Sequence, residues 1–169
     1  GHDLKNEWYE IRNKYYNTNN DSVYVPEIFG DSSAYADVYS ITPQELAFYV
    51  QDKMEFDDMV INIGLRYDQF DPQSVYPSDR RNPANQLILP DSMMSLYPNA
   101  PIISQLSPRL GFAYQLGGQA VLHFSYGHFF QMPPMYAMYQ NNSFLVDPNN
   151  FVTRMGNTLL EPEKTITDD

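Results

Sequence analysis

Residues 46–56, 60–70, 107–116 and 120–131 alternate between apolar and polar side chains, and three residues join the members of each pair. A period of two puts successive side chains on opposite faces of a strand, so each stretch must have one apolar face and one wet face. In 107–116, Leu110, Phe112, Tyr114 and Leu116 point one way, while Ser107, Arg109, Gly111, Ala113 and Gln115 point the other. In INIGLRY, Ile61, Ile63, Leu65 and Tyr67 oppose Asn62, Gly64, Arg66 and Asp68. The turns Asp57-Asp58-Met59 and Gly117-Gly118-Gln119 make each pair a hairpin.

A soluble sandwich gives the same alternation, with its apolar faces packed against each other. Two features favour a membrane barrel. Strands of about ten residues suit a tilted bilayer crossing, whereas soluble strands most often run to about five or six. The connections after Phe70 and after Gln131 run to roughly thirty residues, about twice the length beyond which structureless loops become uncommon. Short turns at one end and long loops at the other match the periplasmic and extracellular ends of a transmembrane β-barrel.

The low mean hydropathy of -0.48 is compatible with this, because a barrel turns only alternate residues towards lipid. Fourteen tyrosines and ten phenylalanines supply material for interfacial girdles, and Tyr67, Phe70, Tyr114, Tyr126, Phe129 and Phe130 lie near strand ends where girdles form. A net charge of -11 with only ten scattered basic residues argues against nucleic acid as a partner. The absence of cysteine decides nothing. There is no basic, apolar N-terminal segment of the export type, and the chain reads as an internal piece.

The expected organisation is an incoming strand and exposed loop over 1–45, a hairpin over 46–70, an extracellular loop over 71–106, a second hairpin over 107–131, a loop over 132–164 and the start of a further strand at 165–169. Pro133 and Pro134 predict a turn or two of helix in PPMYAMYQNN. LILP and SMMSLY predict apolar anchoring of the 71–106 loop. Four or five strands cannot close a barrel, so neighbouring strands are required.

The segments AFYVQDKMEF, NIGLRYDQFDP, SPRLGFAYQL, VLHFSYGHFFQMPPMYAMY and GNTLLEPEKT, in this order, resemble the C-terminal half of the barrel of TonB-dependent outer-membrane receptors. The family pattern falls on Tyr49, Gln51 and Asp52; on Gly64, Arg66, Tyr67 and Asp68; on Ser107, Pro108, Arg109 and Gly111; on Ser125, Tyr126, Gly127 and Phe130; and on Gly156, Asn157, Leu160, Pro162 and Glu163. The resemblance covers 46–165 and is poor before that. It implies an all-β fold, part of a 22-stranded antiparallel barrel in a Gram-negative outer membrane. It also implies import of a scarce nutrient (siderophore, vitamin, glycan or peptide), with outer-membrane lipid, a plug domain of the same parent chain and the TonB energy-coupling complex as partners. Two alternatives stay open: a non-transporting barrel used for adhesion or assembly, and a soluble all-β binding module.

Asn62, Arg66, Asp68, Arg109, His123 and Ser125 fall on the wet face, where they are expected to form a structural polar network. His128 has the opposite parity. Tyr76, Tyr97, Tyr136, Tyr139 and Asn141 lie in the long loops and are the ligand candidates, since aromatic and amide groups stack on and hydrogen-bond ligands. No spacing of His and acids suits a metal, and there is no nucleophile elbow or phosphate loop, so neither catalytic residue nor cofactor is expected. Gly64, Gly111 and Gly127 read as relief of crowding, a bulge or room for an aromatic neighbour. Asp52 falls on the apolar face of its strand, which predicts a bulge that changes its parity, a partner or a subunit contact.

Overall fold

The computed structural model describes residues 3–14, 25–80, 82, 92–145 and 153–169, without the side chains of 11–14 and 25–27. Its centre is one antiparallel sheet of five strands in chain order. These are β5 (Gln44–Glu55), β6 (Met59–Asp71), β7 (Ile103–Leu116), β8 (Ala120–Gln131) and β9 (Glu163–Asp168). The first four have 12, 13, 14 and 12 residues, enough for a tilted strand to cross a bilayer.

Two turns set the geometry. Phe56 and Met59 exchange backbone hydrogen bonds of 2.7 and 3.3 Å, so the first hairpin closes through Asp57-Asp58 alone and Met59 belongs to β6. The second turn carries positive φ at Gly117 and Gly118, 57° and 79°, a conformation that side chains with a Cβ resist. The Gln115 N–H donates to Asp58 O at 2.8 Å, and the second turn begins two residues further on. With about 3.3 Å per residue and 4.8 Å between strands, that stagger over two strands tilts them by roughly 35°, a tilt found in closed barrels.

The register sorts the two faces. Met54, Ile61, Phe112 and Phe124 form one cross-strand row, and Val50, Leu65 and Pro108 another. On the opposite face, Gln51, Gly64, Arg109, Gly127 and Thr167 share a row, as do Lys53, Asn62, Gly111 and Ser125. Among the described residues no second sheet covers the apolar face. Phe48, Val50, Ile63, Leu122 and Ile166 all remain exposed on it. Each such side chain gains roughly 1 kcal/mol or more on leaving water, so about ten of them rival the whole net stability of a domain.

β5 pairs with β6 without interruption from Gln44↔Asp71 to Glu55↔Val60. The bulge expected at Asp52 is therefore absent: Asp52 stands opposite Ile63 on the apolar face, because the ladder loses no pair there. Two of the expected girdle aromatics also change place. Tyr67, Tyr114, Tyr126 and Phe130 have the parity of the apolar face, but Phe70 and Phe129 have that of the polar one. Phe70, 1% exposed, packs in a small core with Ile41, Met138 and Tyr139. The Phe129 ring lies over Gly127, where an added Cβ would meet it at 3.2 Å, and the Arg109 guanidinium sits 5.0 Å from the ring centre. Adjacent strand residues cannot share a face, so only one of Phe129 and Phe130 can belong to a girdle.

The N-terminal third also contains more structure than its composition predicts. β1 (Leu4–Tyr9) pairs with β4 (Ala36–Ile41), and β2 (Ile11–Lys14) pairs with β3 (Val25–Ile28). The long loops do not hang free. Residues 74–78 and 96–100 face each other through Ala100 N–H to Ser74 O, Tyr76 N–H to Pro98 O and Ser78 N–H to Leu96 O. The short helix α1 (Met135–Tyr139) follows Pro134, as the two prolines predict. LILP lies outside the described residues.

Candidate functional site

At the loop end of the sheet, the β1–β4 ribbon faces the segment around α1. Antiparallel pairing puts Asn6 opposite Tyr39 and Trp8 opposite Asp37, and the Glu10 N–H donates to Tyr35 O at 2.8 Å. Each row thus joins an aromatic ring to an amide or a carboxylate. These six residues, with Ala34 and Ala36, line one wall of a cavity of about 550 Å³, and Tyr136, Gln140, Asn141, Leu145, Thr153 and Arg154 line the rest. This volume is ordinary for a small-molecule site. Trp8 is 55% and Tyr136 68% exposed, so both rings are open to a ligand.

The cavity is held by contacts between distant segments. Asp37 Oδ1 accepts the Asn141 N–H at 3.0 Å, and the Asn6 side-chain amide donates to Asp37 O at 2.7 Å. Burial pushes the Asp37 carboxyl above its ordinary value, and the Asn141 N–H pulls it partly back. Tyr39 is also raised, by burial first and by the Asp37 charge second. Asn141 adopts φ 51°, accepts the Leu145 N–H on Oδ1 at 3.0 Å and donates from its amide to Leu145 O. Its side chain shapes the loop from within.

The other ligand candidates lie apart. Tyr139 is fully buried, its hydroxyl donating to Pro72 O at 2.9 Å, and burial raises its pKa far above the ordinary phenol value. Tyr97 stacks on Phe144 with ring centres 5.5 Å apart. The Tyr76 backbone is tied to Pro98. Of the five, only Tyr136 and Asn141 reach the cavity. The opposite wall escaped the sequence reading, although N-x-W-x-E at 6–10 and Y-x-D-x-Y at 35–39 carry the same period of two. Short, polar strands outside the main sheet do not stand out from loop composition.

Under the cavity, the 153–162 segment is threaded against α1. Gly156 N–H donates to Gln140 O at 2.6 Å, and Asn157 N–H to Ala137 O at 2.9 Å. An added Cβ on Gly156 would lie 2.5 Å from Met138 O, so only glycine fits. Asn157 Oδ1 accepts the Leu159 N–H at 2.9 Å and also receives the Arg80 guanidinium. Thr158 Oγ1 donates to Val75 O at 3.1 Å, which joins the two long loops.

On the polar face of the sheet, Arg66 grips Asp68 through Nε at 2.9 Å to both carboxylate oxygens and through a terminal nitrogen at 2.8 Å. Ser107 is buried beside it, opposite Arg66. The β7–β8 ladder stops at Arg109↔Gly127, next to Pro108, which has no N–H to give. Asn62 faces Lys53 and Gly111, while His123 and Ser125 are exposed on the same face. On the apolar face the Tyr126 hydroxyl and His128 Nε2 lie 2.6 Å apart. Among the described residues no group of three or more His, Cys, Asp or Glu is placed to hold a metal.

These features find their counterpart in a family model described as TonB dependent receptor-like, beta-barrel, which matches residues 1–167. The match takes in the β1–β4 ribbon as well as the five-stranded sheet. Comparison with curated proteins and with solved structures gives no match. All-β and antiparallel, with one uncovered apolar face, the chain belongs to the TonB-dependent receptor-like β-barrel family.

Proposed function

We propose that this chain forms part of the wall and the outer mouth of a receptor that imports a scarce nutrient across a Gram-negative outer membrane, energised by TonB through a plug domain of the same parent chain. The observation that carries this reading is the division of the sheet. Its apolar face is open along strands of membrane-crossing length, while its loops fold onto one another around a cavity at one end. Lipid is the natural covering for the first, and an extracellular ligand the natural occupant of the second. The polar face, with Arg66–Asp68 and Arg109 over Phe129, then lines the lumen towards the plug.

Deletion of the parent gene, profiled on limiting iron, cobalamin and carbon sources, tests the reading. Import predicts slow growth on at least one source at low concentration, the same defect in a strain lacking TonB, and relief when that source is abundant. Normal uptake of every source, with a loss of surface attachment instead, would make the barrel an adhesion platform.

A further inference from the structure

We propose that a cleft on the polar face of the sheet, between Arg66 and Arg109, is a carboxylate site, filled by an acidic side chain of a protein segment seated in the lumen. This rests on the import reading only in taking the polar face to line the lumen and the plug to occupy it. Three motifs far apart in the sequence meet at the cleft. The register puts Gln51 opposite Gly64 and Gly64 opposite Arg109, and in the next row Tyr49 opposite Arg66. All five residues belong to the lining of a cavity of about 230 Å³. Gly64 is its floor. A Cβ added there would make only ordinary contacts, 3.7 Å from Arg109 Cβ and from Val50 O. The wall therefore accepts a side chain at 64, and its absence leaves the space beside Arg109 open.

The two arginines differ in what they already hold. Arg66 is matched by Asp68, so that pair is neutral. Arg109 meets no carboxylate among the described residues. Of the other acids on this face, Glu55 is paired with Lys53, Glu45 and Glu163 stand opposite Phe70 and Gln131, and Asp169 exchanges backbone hydrogen bonds with Ser125, all in other rows. The Phe129 ring, 5.0 Å from the Arg109 guanidinium, holds it in place but neutralises no charge. The cleft thus offers one uncompensated positive charge, together with the Gln51 amide and the Tyr49 hydroxyl, whose residue is 77% exposed. One charge matches one monoanion, and the guanidinium fork fits the two oxygens of a carboxylate. The volume lies below the roughly 300 Å³ at which small-molecule sites begin, and suits a single acidic side chain. A free anion gains little from one cation on so open a surface. A carboxylate carried by a segment already in the lumen meets the site at high effective concentration.

The test uses the full-length receptor in detergent micelles, with a photo-crosslinking phenylalanine analogue in place of Tyr49 and peptide mapping of the product. The crosslink is expected to reach a segment of the plug that carries an Asp or Glu. Hydrogen exchange in that segment should then quicken about tenfold or more in Arg109→Gln, less in Arg109→Lys, and not at all in Lys53→Gln on the same face. Exchanging the charges, Arg109→Glu with the plug acid changed to Arg, should restore the slow exchange, a rescue that a merely structural role for Arg109 would not show. A heat-modifiable band on electrophoresis shows that each variant is folded. Should Arg109→Gln fail to fold, amidation of the plug acid by substitution reads the same contact from the other side. A crosslink confined to the barrel, or exchange that ignores Arg109, overturns the proposal. So does loss of the Arg109 effect in millimolar acetate, which would make the cleft a site for free anions. If exchange ignores Arg109 while uptake of a nutrient needs both receptor and TonB, the site falls and import stands. If Arg109 holds the segment but no uptake depends on TonB, import falls and the site stands.

Discussion

The five-stranded sheet and the loop assembly above it are stabilised by different means. In the sheet every strand is paired along its length with a chain neighbour, and among the described residues nothing covers its apolar face. In the loop assembly regular pairing is sparse, and a few buried or half-buried groups join segments far apart in sequence: Tyr139 to Pro72, Thr158 to Val75, Asn141 to Asp37. The sheet therefore depends on its medium, whereas the loops depend on individual contacts.

The sharpest way to break that contrast is to charge the apolar face. Leu110→Arg, midway along β7, is expected to cost about 2–4 kcal/mol in urea titrations of the receptor in bilayers, while Ser125→Arg on the polar face is expected to be nearly neutral. Equal losses would mean that the two faces do not meet different media. Gly156→Ala acts on the loops alone. With Met138 O, Met138 C and Gln140 N all within 2.8 Å of the new Cβ, it is expected to cost about 1–3 kcal/mol and to open 132–162 to proteolysis while the barrel stays resistant. Tyr139→Phe removes one buried hydrogen bond and leaves Pro72 O unsatisfied, about 1 kcal/mol, with a milder form of the same proteolysis pattern.

Asp37→Asn should have the smallest effect. The folded-state pKa of Asp37 is raised, so the protonated carboxyl is the form the fold favours. Its contribution is fully present below 3.8 and is lost as pH rises through the raised folded value. An asparagine keeps an acceptor for the Asn141 N–H without the charge. Loop stability measured by hydrogen exchange should then lose its dependence on pH across that window and be slightly higher at neutral pH. A lower stability at neutral pH would mean that the charge itself holds Asn141.

The sheet was legible because its evidence is local. Alternation in 60–70 and 107–116 assigns Ile63 and Leu110 to one face and Asn62 and Arg109 to the other without knowledge of any partner. The family motifs are legible too, and the structure supplies reasons for several of them: Pro108 sits where the β7–β8 ladder ends, Gly156 passes where no Cβ fits, and Asn157 closes the turn to Leu159. Position near a strand end was a poorer guide for Phe70 and Phe129, because parity decides the face and the folded loops reach back to cover Phe70. Asp52 shows the limit from the other side: its parity was read correctly, and the remedy expected for it is not in the ladder.

The sequence by itself determined that the chain makes long antiparallel strands with one apolar face, where the short turns fall, and which family it resembles. Those properties follow from a two-residue period and from turn chemistry, which act between neighbours along the chain. Only the tertiary structure decided that Trp8, Asp37 and Tyr136 share a cavity and that Tyr139 does not join them. The contact of Asp37 with Asn141 spans 104 residues, and no local pattern records a meeting between segments so far apart.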